Sequence, residues 1–221
     1  MASPVYPPLV AIFGPTASGK SALAIEVCEA FNGEIVTADS RQVYRYMDIG
    51  TDKPGQGRQA QVPHHMIDLV DPDESYTLAM YQQQAYETID DVLQRGKLPV
   101  LAGGTPLYVN AVVEGWVIPR VEPDLALRAE LEAEAGRIGS EQLHRRLQSF
   151  DPAAAAGILP TNTRRIIRAL EVIEQTGYPM SKQQGKAAPP YKILQICLQC
   201  DRSVLYDRID ARVDGYIERG S

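Results

Sequence analysis

Two rhythms of apolar and polar residues alternate along the chain. Short apolar runs at residues 9–13, 34–40, 98–102 and 191–198 read as strands. Near-continuous runs of this kind belong to parallel sheets whose two faces are both covered. Between them, apolar residues recur at helical spacing over 22–31, 76–94, 106–114 and 201–219. Asp71-Pro-Asp-Glu-Ser75 supplies a turn and a helix cap, and Gly96 and Gly115 end two of the helices. The order of strands and helices predicts an α/β fold with a parallel sheet flanked by helices.

The pattern changes at Pro119. Residues 123–176 carry no strand signal and break into helical runs at 123–137, 140–150, 151–157 and 161–175. They predict a small all-helical insertion domain, residues 119–190, within a core made of 1–118 and 191–221. Residues 181–190, rich in Gln, Lys and Pro, read as a flexible return. The last helix of the insertion has Arg164 and Arg168 on one face, and Ile166 and Ile167 available for a core.

Composition narrows the class. The chain has 221 residues, 44% hydrophobic and 23% charged, as in an ordinary globular protein. No apolar run reaches membrane-spanning length, and Met1-Ala-Ser-Pro4 lacks the order of a signal peptide, so no membrane partner is expected. Three cysteines make no disulfide framework and point to a reducing, cytoplasmic setting. Cys197 and Cys200 have metal-like spacing, but no second pair completes a zinc site, and they read as core residues. Net charge is −6, yet residues 119–190 hold ten basic and nine acidic residues. The insertion is therefore more basic than the core that carries it.

The candidate chemistry begins at Gly14-Pro-Thr-Ala-Ser-Gly-Lys-Ser21, which is G-x-x-x-x-G-K-S between a strand and a helix. Gly14 and Gly19 allow turns in which successive N–H groups of the loop point at phosphate oxygens. Lys20 adds charge, and the Ser21 hydroxyl can ligate Mg2+. Asp39 and Ser40 end the second strand, where functional groups of parallel sheets gather. His64 and His65 read as structural. Arg208 and Arg212, one turn apart, suit a diphosphate clamp as well as an ordinary surface. The strand at 98–102 ends in Gly103-Gly104 instead of Asp-Glu, which disfavours a nucleotide-hydrolysing motor or switch.

Five ordered blocks resemble the tRNA dimethylallyltransferases: 14–21, Asp39-Ser-Arg-Gln-Val-Tyr44, Met47-Asp-Ile-Gly-Thr-Asp-Lys-Pro54, Gly103-Gly-Thr-Pro-Leu-Tyr108 and Arg164-Arg-Ile-Ile-Arg-Ala-Leu-Glu-Val172. The resemblance implies a phosphate loop that holds dimethylallyl diphosphate, and transfer of the prenyl group to N6 of the adenosine 3′ to the anticodon. It implies Asp39 as general base, Thr16 beside the leaving oxygen, and Arg212 with Mg2+ at Ser21 on the diphosphate. Thr16, Arg212 and Asp39 would thus be the catalytic set, with Gly14, Pro15, Ala17, Ser18, Gly19 and Lys20 completing the loop. Asp39, Ser40, Arg41 and Gln42 would touch the target nucleotide. Thr105, Arg128, Arg164, Arg165, Ile166, Ile167 and Arg168 would line the tRNA path. A flipped adenine is expected, and a protein working as a monomer. Family members usually run on for several tens of residues, so a C-terminal part is expected to be missing here.

Three other readings share the phosphate loop: an adenylate dimethylallyltransferase, a small-molecule kinase of the phosphate-loop type, and a non-catalytic nucleotide-binding module. The arginines at 164, 165 and 168 favour an RNA acceptor over a free nucleotide.

Overall fold

Leu9 and Ala11 pack into one core while Val10 and Ile12 pack into another, which is why the first strand reads as an unbroken apolar run. The structure, a computed structural model, describes residues 6–218 and residue 220. The reading of residues 1–4 and the last residue of the final predicted helix, Arg219, lie outside the described residues.

In chain order the first elements are β1 (Pro8–Phe13), α1 (Lys20–Phe31), β2 (Gly33–Thr37), α2 (Gln56–Gln61), β3 (His64–His65), α3 (Leu78–Gln94), β4 (Leu98–Gly103) and α4 (Pro106–Val113). There follow β5 (Trp116–Val117), α5 (Leu125–Ile138), α6 (Ser140–Phe150), α7 (Pro152–Ala156), α8 (Thr163–Thr176), α9 (Met180–Gln183), β6 (Gly185–Lys186), β7 (Lys192–Cys197) and α10 (Arg202–Glu218). Residues through Gly115 and from Ala188 onward form one compact unit, and Trp116–Ala187 form a second.

The first unit is a parallel five-stranded sheet in the order β3-β2-β4-β1-β7. Ala24 and Cys28 of α1 cover one face with Ile35 and Val100. Tyr81, Ala85 and Ile89 of α3 and Val109 and Val112 of α4 cover the other, with Val36 and Leu101. Each large side chain buried this way stabilises the fold by about 1.5–3 kcal/mol before conformational entropy is counted. The parallel arrangement brings the carboxyl ends of β1, β2 and β4 together beside the start of α1, and this edge carries the site.

Three local features departed from the sequence expectation. Helix α3 starts at Leu78, capped by the Thr77 hydroxyl, which accepts from the Met80 N–H at 3.2 Å, so the Asp71–Ser75 turn is not the cap. The loop after Lys53 gives way to α2 at Gln56, and the two-residue β3 pairs with β2, too short to show any periodicity. Residues 181–190 are partly ordered: the Ser181 N–H and hydroxyl donate to the buried Asp151 carboxylate at 2.8 and 2.6 Å, which fixes α9.

The second unit is helical apart from the antiparallel ribbon β5–β6, a correction to the all-helical expectation. Leu131, Leu143, Leu147, Ile166, Ile167 and Leu170 form its core. Glu171 is fully buried there, accepting from Arg128 Nε and Nη2 at 2.8 Å, Arg168 Nη1 at 2.6 Å and the Asp124 N–H at 2.8 Å. Burial alone would raise its pKa, but these donors overcome burial and hold the carboxyl below the ordinary glutamate range. Its stabilising contribution is present above the ordinary glutamate pKa and is lost as pH falls through the lower folded value. Glu171→Ala strands two guanidinium groups and lowers the unfolding free energy of this unit by about 3 kcal/mol or more, measurable by urea denaturation.

Candidate active site

The phosphate loop takes its shape from residues that tolerate unusual backbone. Gly14 has φ +149°, and a Cβ there would lie 2.5 Å from the Leu198 carbonyl oxygen. Gly19, at φ +94°, is the residue before α1 and offers no side-chain cap. The first N–H groups of α1 are thus left for an external anion, in the favourable field of the helix start. Lys20 Nζ donates to the Pro15 carbonyl at 2.5 Å, which folds the lysine over the loop. Burial, followed by the nearby Arg212 charge, lowers the Lys20 pKa, with Asp39 opposing the shift.

Asp39 is brought to this loop by the end of β2. The Ala38 N–H donates to the Ala102 carbonyl at 2.8 Å, and a Cβ on Gly103 would sit 2.0 Å from the Ala38 oxygen. Only glycine at 103 lets the two strand ends approach this closely. Asp39 Oδ1 accepts from the Arg41 N–H at 2.8 Å and the Gln42 N–H at 3.4 Å. Its Oδ2 accepts no hydrogen bond among the described residues, so the carboxylate is anchored at one oxygen and available at the other. The Ser40 N–H donates to Thr105 Oγ1 at 2.9 Å, which ties this turn to the start of α4.

A cleft of about 520 Å³ runs through these elements, lined by Thr16, Ala17, Gly19, Lys20, Ser21, Asp39, Gln42 and Arg212. Gln42 Nε2 donates to the carbonyls of Thr51 and Asp52 at 3.0 and 3.2 Å. Asp52 in turn pairs with Arg212, whose guanidinium lies 5.7 Å from the Tyr216 ring centroid. Arg208 Nη1 reaches the Ala17 carbonyl at 3.3 Å. The two arginines of α10 therefore both meet the phosphate loop region, as a clamp requires.

The donors available for a metal are hard oxygens. Among the described residues no three of His, Cys, Asp and Glu cluster as a metal site. Ser21 lines the cleft, and the hydroxyls of Ser18 and Thr37 are buried with no hydrogen-bond partner among the described residues. A cation held by one hydroxyl, waters and diphosphate oxygens fits such a site, and this is how Mg2+ binds beside phosphates.

A family model described as IPP transferase matches residues 42–221. The chain belongs to the IPP transferase family. It is 56% identical over 213 residues to the tRNA dimethylallyltransferase of Roseiflexus castenholzii, covering 96% of this chain and 70% of that protein. It is 52% identical to that of Thermomicrobium roseum, covering 96% of this chain and 65% of that protein. The crystal structure of the tRNA isopentenylpyrophosphate transferase of Bacillus halodurans matches with TM-score 0.63 at 46% identity, covering 96% of this chain and 66% of that one. A eukaryotic dimethylallyltransferase acting on tRNA matches with TM-score 0.81 at 29% identity, covering 97% of this chain and 54% of that one.

In this IPP transferase the residues expected around the phosphates and the reacting base come together in the first unit: the loop, Asp39–Gln42, Thr105 and Arg212. Arg128 and Arg164–Arg168 belong to the second unit. Two of the residues expected on the tRNA path, Ile166 and Ile167, are 0% and 4% exposed and spend their side chains in the helical core, so neither offers a side chain to a partner. Arg128 and Arg168 are committed to Glu171, while Arg164 and Arg165 stand exposed. Sequence reading missed Asp52, which holds Arg212; its only signal was its place in the 47–54 block. It also missed that His64, read as structural, lines the cleft while its Nδ1 pairs with the Val62 carbonyl at 2.7 Å.

Proposed function

We propose that this chain transfers the dimethylallyl group of dimethylallyl diphosphate to N6 of the adenosine on the 3′ side of the anticodon of tRNA, releasing diphosphate. The observation that carries the reading is the single cleft that Asp39 shares with Lys20, Ser21 and Arg212. A base stands there opposite a site for a polyanion. The relatives are named for dimethylallyl transfer to tRNA, and the exposed Arg164 and Arg165 suit an RNA backbone.

An exocyclic amine is a poor nucleophile because its lone pair is delocalised into the ring. As N6 forms its bond to the allylic carbon, Asp39 takes the N6 proton. The carbon–oxygen bond breaks, and its electron pair leaves with the diphosphate. The loop N–H groups, Lys20 and Arg212 take up the growing charge. Thr16 places a hydroxyl at the leaving oxygen. Ser21 would hold Mg2+, which supplies further neutralisation of the diphosphate when bound. Gln42 and Asp52 keep Arg212 in place, and the Ser40–Thr105 hydrogen bond keeps the Asp39 turn rigid. Among the described residues no helix is long and apolar enough to cross a membrane. The reading places the reaction in the cytoplasm, by a monomer.

The test offers labelled dimethylallyl diphosphate and Mg2+ with three acceptors in parallel: an anticodon stem-loop, AMP and ATP. Label in the RNA alone is expected. Label in AMP or ATP would instead make the protein an adenylate dimethylallyltransferase.

A further inference from the structure

The hydroxyl of Thr37 lines the cleft and is left unused by the reaction as described. Thr37 is the last residue of β2, 5% exposed, and its Oγ1 has no hydrogen-bond partner among the described residues. Its carbonyl is satisfied by the Tyr81 hydroxyl at 3.1 Å, so only the side chain lacks a partner. A buried hydroxyl left unpaired is destabilising, and such groups ordinarily find protein, water or ligand. The period of two along β2 puts Thr37 on the same side as Ile35, which packs in the core under α1, and both line the phosphate cleft. Ser21, at the start of α1, lines the same cleft, and Asp39 follows Thr37 by two residues. The glycines at 103 and 104 leave β4, the strand between β1 and β2, without a carboxylate at its end.

We propose that Thr37 is a positioning residue whose hydroxyl hydrogen-bonds a water molecule carried by the divalent cation at Ser21. This rests on the diphosphate-site reading above and extends it to a residue that no sequence block singled out. A neutral hydroxyl suits the place. It orients a metal-bound water without adding a second negative charge between the diphosphate and Asp39. Ser18 Oγ, the other unpaired buried hydroxyl among the described residues, lies within the loop already assigned to the phosphates.

The test measures Mn2+-dependent binding of inorganic diphosphate by titration calorimetry, together with the urea midpoint of the unliganded protein. Thr37→Val keeps the shape and removes the hydroxyl, and Thr37→Ala is the second variant. Both are expected to weaken the metal-dependent binding about 10-fold. Thr37→Ser is expected to restore it to within about twofold of the parent. The midpoint of unliganded Thr37→Val should equal or exceed the parent's, because an unpaired buried group has been replaced by an apolar one. Unchanged binding in Thr37→Val would overturn the proposal. So would an equal loss of diphosphate binding without metal, which would place the hydroxyl on the diphosphate itself. A lowered midpoint of the unliganded protein would make Thr37 structural and also overturn it. If the parent protein bound no metal and diphosphate, the site reading would fail and this role with it, whereas a binding parent with unaffected variants sinks Thr37 alone.

Discussion

Asp39→Ala lowers the rate of prenyl transfer by about a hundredfold or more, while the affinity for dimethylallyl diphosphate stays within about twofold of the parent's. The two effects separate because Asp39 does not belong to the phosphate loop. Its Oδ1 is spent on the backbone N–H groups of Arg41 and Gln42, and Oδ2 is the oxygen that can take a proton. Asp39→Asn is the sharper variant. An amide oxygen still caps the turn, so the loop through Gln42 keeps its course, but the carboxylate base is gone. Single-turnover transfer to a stem-loop reads the rate, and equilibrium binding of labelled donor reads the affinity. Equal loss of both in Asp39→Asn would make the residue structural.

Lys20→Met produces the opposite split at the first step. The ammonium is the formal charge closest to the loop, and a charge-assisted contact of this kind contributes about 1.5–3 kcal/mol. The donor should therefore bind roughly 10- to 100-fold more weakly. Its pH dependence identifies the group. Burial and the Arg212 charge lower the Lys20 pKa. The ammonium is charged below that lowered value and neutral above it. Donor affinity should accordingly fall with rising pH below the range of an ordinary lysine, and Lys20→Met should lack that limb. Titration of donor binding across the alkaline range checks both statements. An unaltered alkaline limb in the variant would assign it to another residue.

The parallel sheet was readable because its strands are apolar on both faces: Leu9 and Ala11 serve one core and Val10 and Ile12 the other. The phosphate loop was readable because its demands fall on fixed residue types at fixed spacing, with glycines at φ values that other residues rarely adopt. Asp39 was placed by a general property of parallel sheets, their carboxyl-end edge. What could not be read depends on tertiary partners. Nothing in the local pattern distinguishes Arg168 on Glu171 from Arg164 and Arg165 in solvent, since all three lie on one helix. Ile166 and Ile167 were read both as available for a core and, by block membership, as part of an RNA path, and the packing of α8 commits their side chains to the core. Asp52 acquires its meaning from Arg212, 160 positions away in the chain. The two-residue β3 exists only because Ile35 and Val36 pair with it.

The most direct test of the central claim is nucleoside analysis of the RNA after reaction with dimethylallyl diphosphate and Mg2+, alongside a count of released diphosphate. The account predicts N6-dimethylallyladenosine at the position 3′ to the anticodon, with one diphosphate released for each modified nucleoside. Modification at another atom or another position would contradict it, as would diphosphate release with no modified adenosine.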